Sequence, residues 1–185
     1  MDLGPLLIDQ LTFYWDTHLW PRLGGLTDEE YLWEPVPGCW SLRPARHGGF
    51  RLEGRRPEPS PPPVTTIAWR MMHVAVGCFH IRHAAFFDPS APPDADMFDR
   101  RLRPSSLPGT AKEGLAFFAE SYQRWHDAIA ALDEDGLARP LGPRGSYFSQ
   151  DPMAALIVHV NREVMHHGGE IGLLRDLYAR GGSPA

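Results

Sequence analysis

His159, Glu163 and His167 recur at every fourth position within HVNREVMHH, residues 159–167. On a helix, side chains four apart stack along one face, a turn from one another. Such a column gives a surface helix little, and an apolar core normally excludes it. Neutral imidazole and carboxylate are, however, common ligands of zinc and its first-row neighbours. The spacing therefore predicts a metal centre on a helix. His166 lies close to the same face and competes for a ligand position. Glu170, one turn further on, is placed to hold an imidazole N–H from behind. The competing reading is a solvated polar stripe with an Arg162–Glu163 surface pair.

A column on one helix needs a partner on another. His73 is the best candidate, within TIAWRMMH, residues 66–73, on the same helical face as Trp69 and His80. Met71, Met72, Val74 and Val76 surround it, and a lone histidine there reads as a satisfied core residue. Opposite a His/Glu column the balance shifts to ligation, because several buried polar rings without partners would be costly. His80 and His83 are weaker candidates. His83 lies toward a helix end, where the dipole already favours a cation.

Four long helical segments can position these residues. The first runs from about Leu3 to Leu23, where Pro21 bends or ends it and Gly24-Gly25 stop it. Thr27 and Glu30 have capping-box spacing, so a short helix follows. Residues 34–64 are rich in proline and read as an extended loop with at most one short hairpin. Within it, about 51–63 is the more mobile part.

The second helix starts at Thr65 or Thr66 and runs to Phe87. The third starts at Thr110, three residues before Glu113, and carries Leu115, Phe118, Tyr122, Trp125, Ile129 and Leu132 at spacings of three and four. Asp133 to Gly136 interrupts it, with room for one more short turn. The fourth opens at Asp151-Pro152, a cap followed by proline at the first helical position, and stops at Gly181-Gly182. The chain reads as one all-α domain over residues 1–185, a four-helix bundle with long loops after helices 1 and 2.

Composition narrows the function classes. A length of 185 residues suffices for a substantial core. The formal net charge of -5 argues against a nucleic-acid partner, which usually meets a basic patch. Only Lys112 among the 18 basic residues is a lysine, so any anion clamp must be built from arginine. Cys39 and Cys78 lie far apart and form no CxxC, and read as buried thiols of a reducing cytosol. With no signal-peptide pattern and no apolar run long enough to cross a membrane, a cytoplasmic protein without a membrane partner is expected.

Three stretches, residues 27–43 (TDEEYLWEPVPGCWSLR), 66–73 and 159–178, resemble the DinB-like superfamily of bacterial four-helix-bundle metalloproteins. That superfamily includes thiol S-transferases dependent on mycothiol or bacillithiol, and a mycothiol-dependent maleylpyruvate isomerase. Its usual pattern is one histidine on the second helix and a His-x3-His pair on the fourth. The resemblance implies His73 and His167 as ligands and places Glu163 where the family has the first histidine of the pair. Two histidines and one glutamate form a known zinc set with an open position; nickel and iron are the alternatives.

What the resemblance implies is a metal-dependent thiol transferase. A low-molecular-weight thiol is the co-substrate and a small electrophile the substrate. Arg43, Arg70 or Arg162 would hold acidic groups of the thiol, and Trp40 and Trp69 would line the pocket or serve only in packing. Two other functions stay open: a small metal-dependent hydrolase with Glu170 or His159 as base, and a non-catalytic, stress-related bundle that binds metal or a small ligand. Exposed apolar residues on the first helix would allow a homodimer.

Overall fold

The caps written in the sequence start most of the helices. In the computed structural model, which describes residues 3–46, 48–55 and 57–181, Thr27 Oγ1 accepts the Glu30 N–H at 3.2 Å and opens helix α2, Asp28–Tyr31. Thr66 Oγ1 accepts the Trp69 N–H at 3.2 Å, and Thr110 Oγ1 accepts that of Glu113 at 3.3 Å. Each bond satisfies one of the N–H groups that a helix start leaves without an internal partner.

The first long helix is α1, Gly4–Tyr14, followed without a break by a π turn, Trp15–Leu19, and a 3₁₀ turn, Trp20–Leu23. Pro21 sits in that last turn, and Gly25 at φ +72° takes the chain away in a conformation that favours glycine. The second long helix has three parts: α3, Ile67–Met72, a π segment, His73–His80, and α4, Ile81–Phe87. The third is α5, Ala111–Ala130. A short α6, Glu134–Ala138, follows, capped by Asp133, and the fourth long helix is α7, Met153–Ala179.

The start of α7 differs from the sequence expectation. Asp151 is not its cap; Pro152 occupies the cap position and forms no side-chain cap bond. The Asp151 backbone is drawn into the preceding turn instead, its N–H bonded to Phe148 O and its carbonyl to the Leu141 N–H, both at 2.9 Å. At the other end Gly181 follows the helix; the expected second stop residue, Gly182, lies outside the described residues.

One hairpin interrupts the helical pattern. Strands β1, Leu42–Pro44, and β2, Phe50–Leu52, pair antiparallel with Leu42 opposite Leu52. The hairpin is pinned to the start of the second helix by a buried Ser41–Thr66 hydroxyl pair at 3.0 Å. Trp69 Nε1–H adds a 2.8 Å bond to the Glu53 carbonyl. The proline-rich connection is thus held against the bundle at the helix that carries His73.

Each of the first two long helices packs against both α5 and α7. Their apolar faces share one core, in which Trp15 stacks on Tyr122 with centroids 3.8 Å apart and Phe79, Phe118 and Trp125 are fully buried. Asn161, buried on α7, donates to the Leu7 carbonyl at 2.8 Å and ties that helix to α1. None of the described helices is long and apolar enough to cross a membrane.

Where α5 passes α2, a glycine lies against Tyr31. A Cβ at Gly114 would lie 2.6 Å from Tyr31 Oη and 2.9 Å from Cζ. Tyr31 is fully buried, so its ring has little room to move. Gly114→Ala is expected to lower stability by about 1–3 kcal/mol through overpacking, even though alanine is the better helix former by about 1 kcal/mol. A urea-denaturation midpoint unchanged or raised would show that the ring gives way.

Candidate metal centre

His73 opens the π segment, and that winding shapes its surroundings. In an α-helix, residues five apart point about 140° from one another. In a π segment the i→i+5 hydrogen bonds bring the fifth residue over the first. Cys78 is therefore carried onto the side of His73, and Cys78, His73 and Glu163 of α7 offer ligand atoms all within 4.8 Å of one another. Burial pushes the Cys78 thiol up to about 12, with the Glu163 charge adding to the effect. Cys39 is buried as well, and both cysteines are unpaired.

The His73 ring lies flat against Trp69, centroids 5.0 Å apart and planes within 7°. Its pKa is lowered to about 4, chiefly by burial, with His167 and Arg70 reinforcing the shift and Glu163 opposing it. A neutral imidazole is the form that binds metal.

The column on α7 dives into the bundle. The His159 side chain is 41% exposed, Glu163 24% and His167 8%. His159 is taken by Arg162, whose Nη2 lies 2.7 Å from Nδ1. The expected Arg162–Glu163 surface pair is loose, at 3.8 Å. His167 lies edge-on to His73, centroids 4.7 Å apart, and its Nε2 is 3.4 Å from Glu163 Oε2. His167 thus approaches Glu163 and His73 between the second and fourth helices, but the third residue whose ligand atom groups with those of His73 and Glu163 within 4.8 Å is Cys78, not His167; His159 stays at the surface.

Glu170 fixes the orientation of His167. Its Oε2 lies 2.7 Å from His167 Nδ1 and 3.0 Å from Arg70 Nε. Burial opposes ionisation of Glu170, but the His167 hydrogen bond and the Arg70 charge outweigh it and hold the carboxyl below its ordinary range. An ionised carboxylate only accepts, so Nδ1 carries a proton, and in the neutral ring Nε2 is the nitrogen with the free lone pair. Arg70 Nη1 also approaches Nδ1, at 3.4 Å; two donors cannot bond each other, and the Glu170 contact prevails.

This arrangement fits a divalent ion. His167 Nε2 and the Glu163 carboxylate face each other at 3.4 Å, long for a hydrogen bond. The neutral His73 ring makes no side-chain hydrogen bond among the described residues and adds a further donor atom. A carboxylate behind a ligating imidazole is the usual support for such a site. His166, His167 and Glu170 form a second close group, but its carboxylate is already engaged by His167 and Arg70, and His166 is exposed.

A cavity of about 940 Å³ opens beside His73, with Trp40, Trp69 and Gly77 in its lining. The arginines nominated from sequence are not the ones that border it. Arg43 pairs with Glu34 at 2.7 Å and Glu53 at 2.9 Å, Arg70 is spent on Glu170, and Arg162 lies on the surface of α7. Arg55, Arg100 and Arg103 border the cavity instead. Arg55 stands on a loop, Arg100 opens a short 3₁₀ turn, Arg100–Leu102, and Arg103 follows it; only long-range packing brings them to the cavity. His80 and His83 face a separate cavity of about 270 Å³, with Ser121 and Arg124. Neither residue considered as a hydrolytic base, Glu170 or His159, borders the large cavity.

Fold and site define a mostly α-helical bundle with a cluster of candidate metal ligands between its second and fourth long helices. A family model described as the DinB superfamily matches residues 10–171, and the chain belongs to that superfamily. No curated protein and no solved structure matches it.

Proposed function

We propose that this DinB-superfamily protein is a divalent-metal-dependent thiol S-transferase, with His73, Glu163 and His167 holding the ion and zinc the expected metal. One observation carries the reading: His73 belongs both to a close group of ligand atoms, with Glu163 and Cys78, and to the wall of the large cavity. A molecule in the cavity would therefore lie against His73, one of the proposed ligands. A divalent ion bound there would act as a Lewis acid and favour the deprotonated form of a thiol.

The chain's own groups do the rest. Glu170 and Arg70 hold His167 in one tautomer and one orientation. Trp69 holds the His73 ring by stacking on it. Burial keeps His73 neutral and its lone pair available. The co-substrate is a low-molecular-weight thiol such as mycothiol or bacillithiol, and the partner a small electrophile. With a chloroarene, a sulfur–carbon bond forms as the carbon–chlorine bond breaks. Chloride leaves with the bonding pair, and the thiol proton passes to solvent.

The test uses protein purified without chelator or affinity tag. About one equivalent of metal is expected for a mononuclear site. Release of chloride from 1-chloro-2,4-dinitrobenzene should depend on the thiol, stop on chelation and return with zinc. Metal bound firmly without thiol turnover would favour a stress-related binding protein. Absence of metal after reconstitution with zinc, nickel and iron would sink the mechanism.

A further inference from the structure

We infer that the cavity beside His73 binds a flat aromatic acid, its ring against Trp40 and Trp69 and its carboxylate toward Arg100 and Arg103, and that Gly77 is the residue that keeps the floor open. The inference deepens the proposed function, on which it rests for the role of this ligand as substrate.

The aromatic wall is fixed before any ligand arrives. Trp69 is held by its Nε1–H bond to Glu53 O at 2.8 Å and by its stack on His73. Trp40 lies 5.9 Å from it at a tilt of 35°, within the range over which aromatic rings attract one another. Phe98, 43% exposed, contributes a third ring to the same lining. Its face is covered by the Arg82 guanidinium at 4.9 Å. Rings held this way lose little freedom when a flat ligand stacks on them.

Charge selects an acid. Arg55, Arg100 and Arg103 line the cavity, and none forms an ion pair among the described residues. Two carboxylates share the lining, Glu53 and Glu58. Glu53 is neutralised by Arg43 at 2.9 Å and also accepts the Ser41 N–H at 3.0 Å. Among the described residues, three arginines without an ion pair therefore share the lining with Glu58, which also has none but lies near enough to Arg70 to act on its charge. Arginine binds a planar carboxylate in two-pronged fashion.

Space completes the argument. Small-molecule sites commonly run to roughly 300–1,000 Å³, and this cavity falls within that range. A Cβ built on Gly77 meets nothing within 4 Å, although its neighbours Val76 and Cys78 are buried. A side chain there would project into the cavity without displacing the fold. The π winding that sets Cys78 beside His73 thus also places a glycine in the cavity floor.

Calorimetric titration of the protein as purified, with metal counted on the same sample, tests the inference. The probes are 2-naphthoate, its neutral analogue 2-naphthamide, and cyclohexanecarboxylate, which lacks the flat ring. Naphthoate should bind about ten-fold tighter than either control, the size of one charge-assisted contact. Arg100→Met/Arg103→Met should lose about that factor for naphthoate and none for naphthamide. Gly77→Phe should weaken naphthoate at least about ten-fold while metal content and melting temperature hold. If that variant does not fold, Gly77→Ala should still give a smaller loss in the same direction. Naphthoate binding no tighter than either control, or binding untouched by substitution at Gly77, overturns the inference. Naphthoate affinity intact in a protein without metal or thiol turnover would retire the transferase reading alone.

Discussion

His167→Ala is expected to empty the metal site while leaving the bundle folded. The residue is nearly inaccessible, its Nδ1 is committed to Glu170, its Nε2 lies 3.4 Å from Glu163, and its ring meets that of His73 edge-on. Loss of a group that merely orients a ligand costs about 10–100-fold in affinity, so removal of the ligand itself should cost about 100-fold or more. The Arg70–Glu170 pair survives the change, since its 3.0 Å contact does not involve the imidazole. Glu170→Gln is the informative companion. It keeps an acceptor oxygen but loses the charge, and should fall between parent and His167→Ala. Metal counting on the three proteins, beside far-ultraviolet dichroism, reads the result. Full metal content in folded His167→Ala would exclude this histidine as a ligand.

The parts of this site that were legible in the sequence are those governed by local periodicity. Thr66 with Trp69, Thr110 with Glu113 and Thr27 with Glu30 announce their helices because a cap is a short-range bond. The four-residue spacing of His159, Glu163 and His167 put them on one face without any tertiary information. Periodicity could not say how deep each would sit. That depends on the angle at which α7 enters the bundle, and the outcome is an exposed His159 held by Arg162 above a buried His167.

The π segment was not legible at all. Nothing in HVAVGCFH forbids an α-helix, and no residue in it marks the wider winding. Cys78 and Gly77 were therefore missed as neighbours of the site. On an α-helix Cys78 would point well away from His73. The cavity arginines were missed for a related reason. Arg55 precedes the second helix and Arg100 and Arg103 follow it, beside a short turn capped by Asp99, and nothing local says which site these connections will border. Arg43, one of the three arginines considered, is consumed by Glu34 and Glu53 in holding the hairpin in place. Proximity in sequence to a motif was a poor guide to which cation faces a ligand.

Arg175→Met is expected to be the most destabilising single replacement of a charged residue. Arg175 near the end of α7 grips Glu30 of α2 with two parallel bonds, Nε to Oε1 at 2.8 Å and Nη2 to Oε2 at 3.0 Å. Its Nη1 also donates to the carbonyls of Gly24 and Arg22, where the first long helix ends. The side chains are 17% and 7% exposed, so the pair is largely out of water. Removing one partner of a buried pair leaves the other charge uncompensated and costs about 3–5 kcal/mol, whereas an apolar pair of similar volume is often neutral. Urea denaturation should therefore show a large loss in Arg175→Met and substantial recovery in Glu30→Met/Arg175→Met. About 1 M salt should not mimic the single replacement, since screening acts mainly on exposed charges. A double variant as unstable as Arg175→Met would locate the loss in the Gly24 and Arg22 carbonyls, which the guanidinium satisfies and no methionine can.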